Sequence, residues 1–283
     1  MFALKILSKL PLWVLYGFSN FLGFLIGKVI RYRKKIVLEN LRNSFPEKSE
    51  KELRSITSGF YRNLSDIIVE TIKGITISKQ ELVKRVKFKN VELMDNYCRE
   101  GKSMLVLNIH QCNWEWLLIS GCIQLNFPID AVYTPLSNKS MDKLMIRMRS
   151  RFGGNPIPVG KALRKMTKKS KIVKAFALVS DQAPMWSFKK YWTTFLNQET
   201  AFIPGIVHLP KVTNYPVLFM GMRRLKRGYY EVDIQSIAEP PYSKDNHEVM
   251  EEFVSKAEAV IRQNPSDWLW SHRRWKYKRP PSD

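Results

Sequence analysis

The stretch Met104-Leu105-Val106-Leu107-Asn108-Ile109-His110-Gln111-Cys112-Asn113-Trp114-Glu115-Trp116 decides the fold of this chain. Residues 104–109 are almost all apolar, which is typical of a strand covered on both faces. A tight corner follows, and Asn113 is a suitable N-cap for a helix that runs to about Leu125. His110 therefore stands at the carboxyl end of a predicted strand, where open α/β sheets usually carry their chemistry.

His110 and Glu115 form the first candidate pair for catalysis. On one continuous helix, side chains five residues apart diverge by roughly 140°, whereas a strand–turn–helix corner can bring them together. A carboxylate beside an imidazole fixes one tautomer, and the neutral ring could then take a proton from an alcohol near pH 7. The spacing fits equally well a corner histidine bonded to backbone, with Glu115 a solvated acid in the first helical turn.

The composition indicates one large domain and an anionic partner. The 283 residues include 47 Lys and Arg against 25 Asp and Glu, a net charge of +22. Such an excess favours nucleic acid, an anionic membrane, a phosphorylated ligand or an acidic protein. The cysteines Cys98, Cys112 and Cys122 fit neither a disulfide framework nor a metal motif. We therefore expect no metal site and a reducing compartment that faces the cytoplasm.

The uncharged run from Leu10 to Gly27 is rich in Leu, Phe and Trp. At 1.5 Å per residue it reaches about 27 Å, just short of a bilayer core of roughly 30 Å. A basic cluster that would hold its C-terminal side in the cytoplasm follows: Lys28, Arg31, Arg33, Lys34 and Lys35. We interpret residues 1–30 as a transmembrane or membrane anchor, in which Gly23 and Gly27 form a G-x-x-x-G pairing face. A buried core helix is the alternative.

Residues 31–283 are predicted to form one mixed, mostly parallel α/β domain whose sheet is flanked by helices. Ser49 and Glu52 make a capping box for a long amphipathic helix over residues 47–73. Further strands are predicted at 129–134, 173–179, 217–220 and 229–234, and a final helix at 245–263. Asp181 follows its buried strand just as His110 follows its own, and it is either a site residue or a turn aspartate.

Several motifs together resemble the late acyltransferases of bacterial lipid A biosynthesis, in the lysophospholipid acyltransferase superfamily. They are the N-terminal anchor, the H-x-x-x-x-E from His110 to Glu115, Tyr133-Thr134-Pro135-Leu136, Ser180-Asp181-Gln182 and the terminal Trp270-Ser271-His272-Arg273-Arg274-Trp275. The resemblance implies an enzyme of the bacterial inner membrane, with its catalytic domain on the cytoplasmic side. It would move a fatty acyl chain from acyl carrier protein, less often coenzyme A, to a hydroxyl of a phosphorylated lipid A precursor. It implies no cofactor beyond the donor thioester.

The resemblance also assigns roles to residues. His110 matches the catalytic base and Glu115 its acidic partner, with no covalent intermediate. Arg151 falls near a substrate-binding arginine, with Arg147 and Arg149 as neighbouring alternatives, and Asp181 matches an acidic site residue. Basic groups that could dock acyl carrier protein, anionic membrane lipid or the acceptor's phosphates include Arg273 and Arg274.

Three alternatives to this reading remain at the level of sequence. The acceptor could be another lipid, such as an amino-acid lipid, a glycolipid or a lysophospholipid. The chain could instead be a non-catalytic, membrane-tethered basic protein that binds nucleic acid or anionic lipid. We expect no nucleic acid partner, because such a binder does not explain a histidine and an aspartate each placed after a buried strand. Cys112 as a nucleophile is a minor alternative, since it has no convincing base partner in the sequence.

Overall fold

A seven-stranded sheet carries the fold, with strand order β1-β9-β8-β2-β5-β3-β4. The computed structural model describes residues 2–168, 170–185, 189–243 and 247–280. The strands of the sheet are β1 Val86–Lys89, β2 Met104–Asn108, β3 Ile129–Tyr133, β4 Asn155–Pro158, β5 Ala175–Val179, β8 Val217–Lys226 and β9 Tyr229–Ala238. All neighbours pair in parallel except β8 and β9, which form an antiparallel hairpin. The predicted mixed, mostly parallel sheet is thus confirmed.

Helices cover both faces of this sheet. They are α1 Phe2–Lys9, α2 Leu12–Phe24, α3 Lys34–Ser44, α4 Glu50–Gly74, α5 Lys79–Arg85, α6 Glu92–Arg99, α7 Trp114–Gln124, α8 Lys139–Arg149, α9 Val159–Thr167, α10 Gly205–Thr213 and α11 His247–Gln263. A π-helical turn, Leu25–Val29, continues α2, and a short 3-10 turn, Pro265–Asp267, follows α11. At the start of α4, Ser49 and Glu52 form the predicted capping box, with the Ser49 amide donating to Glu52 Oε2 at 2.8 Å.

Strand β2 is buried on both faces, as its apolar sequence predicts. Leu105 and Leu107 belong to one hydrophobic cluster, whereas Met104 and Val106 belong to the cluster on the other side of the sheet. This alternation follows from the two-residue period of a strand. Because β2 and β5 pair in parallel and in register, with Asn108 opposite Val179, the residues that follow both strands leave the same edge of the sheet.

A second, two-stranded sheet follows β5 in the chain, in a region for which the sequence predicts no strand. There, β6 Tyr191–Phe195 pairs antiparallel with β7 Gln198–Phe202, and residues 186–188 lie outside the described part of the chain. The two residues of the turn, Leu196 and Asn197, both have positive φ, 50° and 62°. Asn tolerates this conformation but Leu rarely adopts it, so the turn carries no ordinary hairpin signal in the sequence.

Candidate active site

His110 lies just beyond β2 and is held by Asp181, which lies just beyond β5. The ring Nδ1 is 2.6 Å from Asp181 Oδ1, and the backbone amide of His110 donates to Asp181 Oδ2 at 3.0 Å. Burial on its own would raise the pKa of Asp181, but the charge of His110 and the hydrogen bonds to the carboxylate lower it overall. Asp181 is therefore an ionised acceptor that fixes both the position and the tautomer of the imidazole.

The opposite ring nitrogen carries the lone pair. With the Nδ1 proton directed at Asp181, His110 Nε2 is the acceptor, and Gln182 Nε2 lies 3.2 Å from it. Trp268 Nε1 donates to Asp181 Oδ2 at 2.7 Å, so the second carboxylate oxygen is also saturated. In the neutral form of the ring, this arrangement makes Nε2 the atom that can accept a proton from a substrate.

Glu115 is paired with Arg149 rather than with His110, which corrects the expectation that Glu115 holds the ring. Two bonds join the side chains: Arg149 Nε donates to Oε2 at 2.9 Å and Nη2 to Oε1 at 2.6 Å. Glu115 lies in the first turn of α7, and Arg149 is the last residue of α8. The strand order decides the outcome, because it places β5 rather than the start of α7 beside the imidazole.

An apolar cavity of about 530 Å³ opens beside this cluster. His110, Glu115, Arg149 and Gln182 line it, together with Tyr133 of β3. The rest of its wall is largely aliphatic: Leu105, Leu107, Leu118, Ala131, Ala162, Leu163, Ala177, Leu178, Ile203, Ile206, Leu209 and Val217. A few polar groups at one place in an otherwise apolar cavity are typical of a site that buries a hydrocarbon chain and orients its polar end.

A second cavity of about 660 Å³ is unrelated to this cluster. It lies between α2, the end of α4 and the β8–β9 turn, and its wall includes Trp13, Tyr16, Lys73 and Arg227. The residues predicted for catalysis do not line it. We therefore place the candidate active site in the smaller, more apolar cavity.

Arg151 does not line the active-site cavity, and the structure favours Arg149 in its place. The Arg151 guanidinium donates to the carbonyls of Gly74 and Ile77, 2.9 Å for Nη2 to Ile77, at the end of α4. It also stacks over the ring of Phe152, at 4.7 Å from the centroid. These hydrogen bonds satisfy carbonyl groups that have no partner at the end of a helix, so Arg151 stabilises the fold rather than lining the cavity.

The C-terminal segment packs against the site, and its two predicted substrate-binding arginines, Arg273 and Arg274, differ in burial. Arg274 is buried: Nη1 donates to the Ala201 carbonyl at 2.7 Å, the guanidinium covers the Phe202 ring at 4.3 Å, and burial lowers its pKa to about 9. The structure thus packs Arg274 inside the protein, which corrects its expected contact with substrate. Arg273 is exposed, and its docking role stays a prediction.

Two further side chains near His110 can be compared with it as reactive groups. Burial lowers the pKa of His272 to about 4, which makes this ring a weak base at neutral pH. Cys112 is fully buried, its Sγ donates to the Met222 carbonyl at 3.5 Å, and burial raises its pKa. A buried thiol is unreactive, so His110 is the better base and Cys112 is no nucleophile. Within the described ranges, no group of three or more His, Cys, Asp or Glu could hold a metal ion.

Sequence reasoning named Arg149 only among the basic groups near Arg151, and it assigned no role to Gln182 or Trp268. Arg149 and Arg151 stand in one basic stretch, and only the phase of α8 shows which of them enters the cavity. Gln182 directly follows Asp181 at the end of β5. Trp268 precedes the aromatic terminal motif, and no local pattern indicates that its indole N–H meets Asp181.

Comparisons with known proteins agree with this geometry. The family model for bacterial lipid A biosynthesis acyltransferases matches residues 1–277. A lipid A biosynthesis acyltransferase from Haemophilus influenzae is 21% identical over 282 residues, which cover 95% of this chain and 84% of the relative. A lipid A biosynthesis lauroyltransferase from Escherichia coli is 25% identical over 278 residues, 96% and 89% of the two chains. Because the family match spans nearly the whole chain, this protein belongs to the bacterial lipid A biosynthesis acyltransferases.

Proposed function

We propose that the protein transfers a fatty acyl chain from the thioester of acyl carrier protein to a hydroxyl of a phosphorylated lipid A precursor. The observation that carries the proposal is the imidazole of His110, oriented by Asp181 and placed at an apolar cavity. The cavity would bury the acyl chain, and the ring would stand at its reactive carbonyl.

In this mechanism the acceptor hydroxyl displaces the Gln182 amide from His110 Nε2. Nε2 takes the hydroxyl proton as the oxygen attacks the thioester carbonyl, so a C–O bond forms and a tetrahedral intermediate results. The C–S bond then breaks, and the imidazolium returns its proton to the leaving sulfur. Asp181 stabilises the imidazolium between these steps, and general-base catalysis of this kind contributes about 10²- to 10⁴-fold in rate.

Arg149 is proposed to contact an oxygen of the substrate. Its Nε and Nη2 are used by Glu115, whereas Nη1 has no hydrogen bond among the described residues. Glu115 thus holds the guanidinium in a fixed orientation at the cavity, and Nη1 could donate to the thioester carbonyl or to an acceptor phosphate. In this role Glu115 acts through Arg149 rather than on His110.

The donor, the acceptor and the location follow from charge and family. Acyl carrier proteins are acidic and lipid A precursors carry phosphates, which suits a chain of net charge +22. Members of this family act in the lipid A pathway, and we propose that this protein acts at the inner membrane from its cytoplasmic side.

The test is an assay of purified His110→Ala and Asp181→Asn with acyl carrier protein thioesters and candidate acceptors, read by mass spectrometry. We expect both to lower kcat by about 10²- to 10⁴-fold while the thermal unfolding midpoint of His110→Ala stays close to wild type. His208→Ala, at an exposed histidine of α10, is the control and should retain activity. Full activity in His110→Ala would refute the proposed base, and turnover of only non-lipid A acceptors would refute the acceptor class.

A further inference from the structure

Helix α2 and the π-helical turn that continues it pack against the domain along their whole length. Leu12 and Leu15 of α2 are buried in the core cluster that also contains Val69 of α4. At the other end, a Cβ on Gly27 would lie 2.9 Å from Tyr61 Cγ. A Cβ on Gly23 would lie 3.3 Å from Ser65 Oγ, also on α4. The predicted G-x-x-x-G is therefore a pairing face, and its partner is a helix of the same domain.

Buried polar groups fix this contact. Ser19 Oγ donates to Asp66 Oδ1 at 2.6 Å, and Tyr16 Oη donates to Glu70 Oε1 at 2.8 Å. Asp66 and Glu70 are both buried residues of α4. Lys73 Nζ donates to the Leu10 carbonyl at 2.8 Å, between α1 and α2. Moving α2 away from α4 would leave these buried groups short of partners, which costs about 1–3 kcal/mol for each.

The opposite face of α2 is exposed and largely aromatic, with Gly17 and Asn20 between the aromatic residues. Trp13 is 77% exposed and Phe21 66%, and Phe18 and Phe24 lie on the same face. Only 22% of the apolar span Leu12–Val29 is buried, although it is long and apolar enough to cross a bilayer. Exposed cations flank the stripe at both ends: Lys5, Lys9, Lys28, Arg31 and Lys35. Because α4 covers the other side of α2, only this exposed apolar side is available to lipid, and the cations at its ends are suited to contact with headgroups.

This helix lies at the same edge of the sheet as the active site. Tyr16 of α2 contacts the β8–β9 turn, where the Arg227 guanidinium stacks over its ring at 4.4 Å and donates to its carbonyl. Gly228 has φ +71°, and a Cβ there would collide with the Tyr16 hydroxyl. Since β8 runs parallel to β2, the end of β8 and His110 lie at the same edge.

We propose that α2 anchors the protein in the plane of the membrane, with its aromatic face inserted into one leaflet of an anionic phospholipid bilayer. The cations at both ends then contact headgroups on the same side, and the chain does not cross the bilayer. The inference refines how this family member meets the membrane and does not depend on the proposed roles of His110 and Asp181.

Sidedness of labelling tests the proposal in inverted inner-membrane vesicles that hold the full chain. Single cysteines are introduced by Ala3→Cys or Lys35→Cys into a Cys98→Ser, Cys122→Ser background, with buried Cys112 left as a baseline. An impermeant maleimide should label both positions to the same extent before and after detergent permeabilisation. A helix that crosses the bilayer would expose one of the two positions only after permeabilisation, and that result would overturn the proposal.

Liposome flotation tests the assigned face independently. Trp13→Glu combined with Phe21→Glu should weaken binding to vesicles of phosphatidylethanolamine and phosphatidylglycerol by about tenfold or more, because two aromatic side chains leave the lipid. Ile172→Glu is the matched control: Ile172 is also exposed, but it precedes β5 and so lies at the opposite edge of the sheet. Equal flotation of the double variant and wild type would overturn the assignment, as would a loss of equal size in the control.

Discussion

At the scale of single residues, two arginines near the end of α8 stand two positions apart and have different surroundings. Arg149 bonds a carboxylate at the cavity, whereas Arg151 bonds two backbone carbonyls at the end of α4. Both keep their charge when replaced by lysine, but a lysine cannot form the paired bonds of a guanidinium. The two substitutions therefore separate a role in the site from a role in stability.

We expect Arg149→Lys to lower kcat/KM by about 10- to 100-fold, since hydrogen bonds to charged groups are worth about 1.5–3 kcal/mol. Arg151→Lys should leave kcat/KM within about twofold and lower the thermal unfolding midpoint instead. Steady-state kinetics and thermal unfolding of both purified variants provide the measurement. The opposite pattern, with activity lost only in Arg151→Lys, would indicate that Arg151 rather than Arg149 binds the substrate.

The buried His272 gives the protein a pH-dependent stability. In the unfolded chain its pKa is 6.5, whereas burial lowers the folded pKa to about 4. Between these values the unfolded state binds more protons, so the free energy of unfolding falls as the pH drops from 6.5 towards 4. His272→Asn should lose less stability than wild type over this interval, as measured by thermal unfolding at pH 7 and pH 5. Identical pH slopes in the two proteins would contradict the prediction.

Individual positions of the site could be predicted from sequence, but their pairing could not. His110 and Asp181 were identified because each follows an apolar strand, and both proved to lie at one edge of the sheet. The partner of the ring is Asp181 rather than Glu115 because β5 lies next to β2. Strand order is set by contacts between residues distant in the chain, and no local pattern of one sequence contains it.

At the scale of elements, the approach of α2 to α4 depends on a missing side chain. Gly27→Ala places a methyl group 2.9 Å from the Tyr61 ring, and we expect a loss of about 1–3 kcal/mol from this overpacking. Gly17→Ala is the control, because a Cβ there has nothing within 4 Å. It should be neutral or stabilise the helix by up to about 1 kcal/mol. Thermal unfolding in detergent compares the two, and equal midpoints would show that α2 is not tightly docked.

Helices and strands with a regular spacing of apolar residues were predicted well from the sequence. Elements that lack such a spacing were not predicted. The capping box and apolar spacing located α4, which the structure gives as Glu50–Gly74. The β6–β7 hairpin was missed because its turn contains Leu196 in a conformation that leucine rarely adopts. Tertiary packing fixes this turn: both Phe195 and Leu196 are fully buried.

At the scale of the whole molecule, the active-site cavity runs along the sheet. At about 3.3 Å per residue, His110 lies about 17 Å from Leu105 along β2 and the two residues that follow it. Leu105 is paired with Val217 of β8 at the other end of the cavity. The length of this cavity should limit the acyl chain that the enzyme accepts. Helices α9 and α10 close it from the side opposite the sheet, through Ala162 and Ile206.

We expect Val217→Phe to shorten the cavity and shift the enzyme towards shorter acyl donors. Excluding about two methylenes removes about 1.6 kcal/mol of burial, so the ratio of kcat/KM for short over long donors should rise about tenfold. Leu218→Phe is the control, since Leu218 belongs to the cluster on the other face of the sheet. Competition between donors of different length measures the ratio. An unchanged preference for donor length in Val217→Phe would show that the acyl chain does not bind in this part of the cavity.

The hydrogen bonds of the Glu70 carboxylate affect any attempt to remove the apolar N-terminal helices in order to obtain a soluble enzyme. It accepts hydrogen bonds from Tyr16 of α2, from Tyr230 of β9 and from Asn113, the N-cap of α7. Deleting the first thirty residues would expose Glu70 to solvent and weaken the contacts that position Asn113 and, with it, the turn that contains His110. The leading helices are thus part of the folded enzyme, and a shortened chain should be judged by its turnover and not by its solubility.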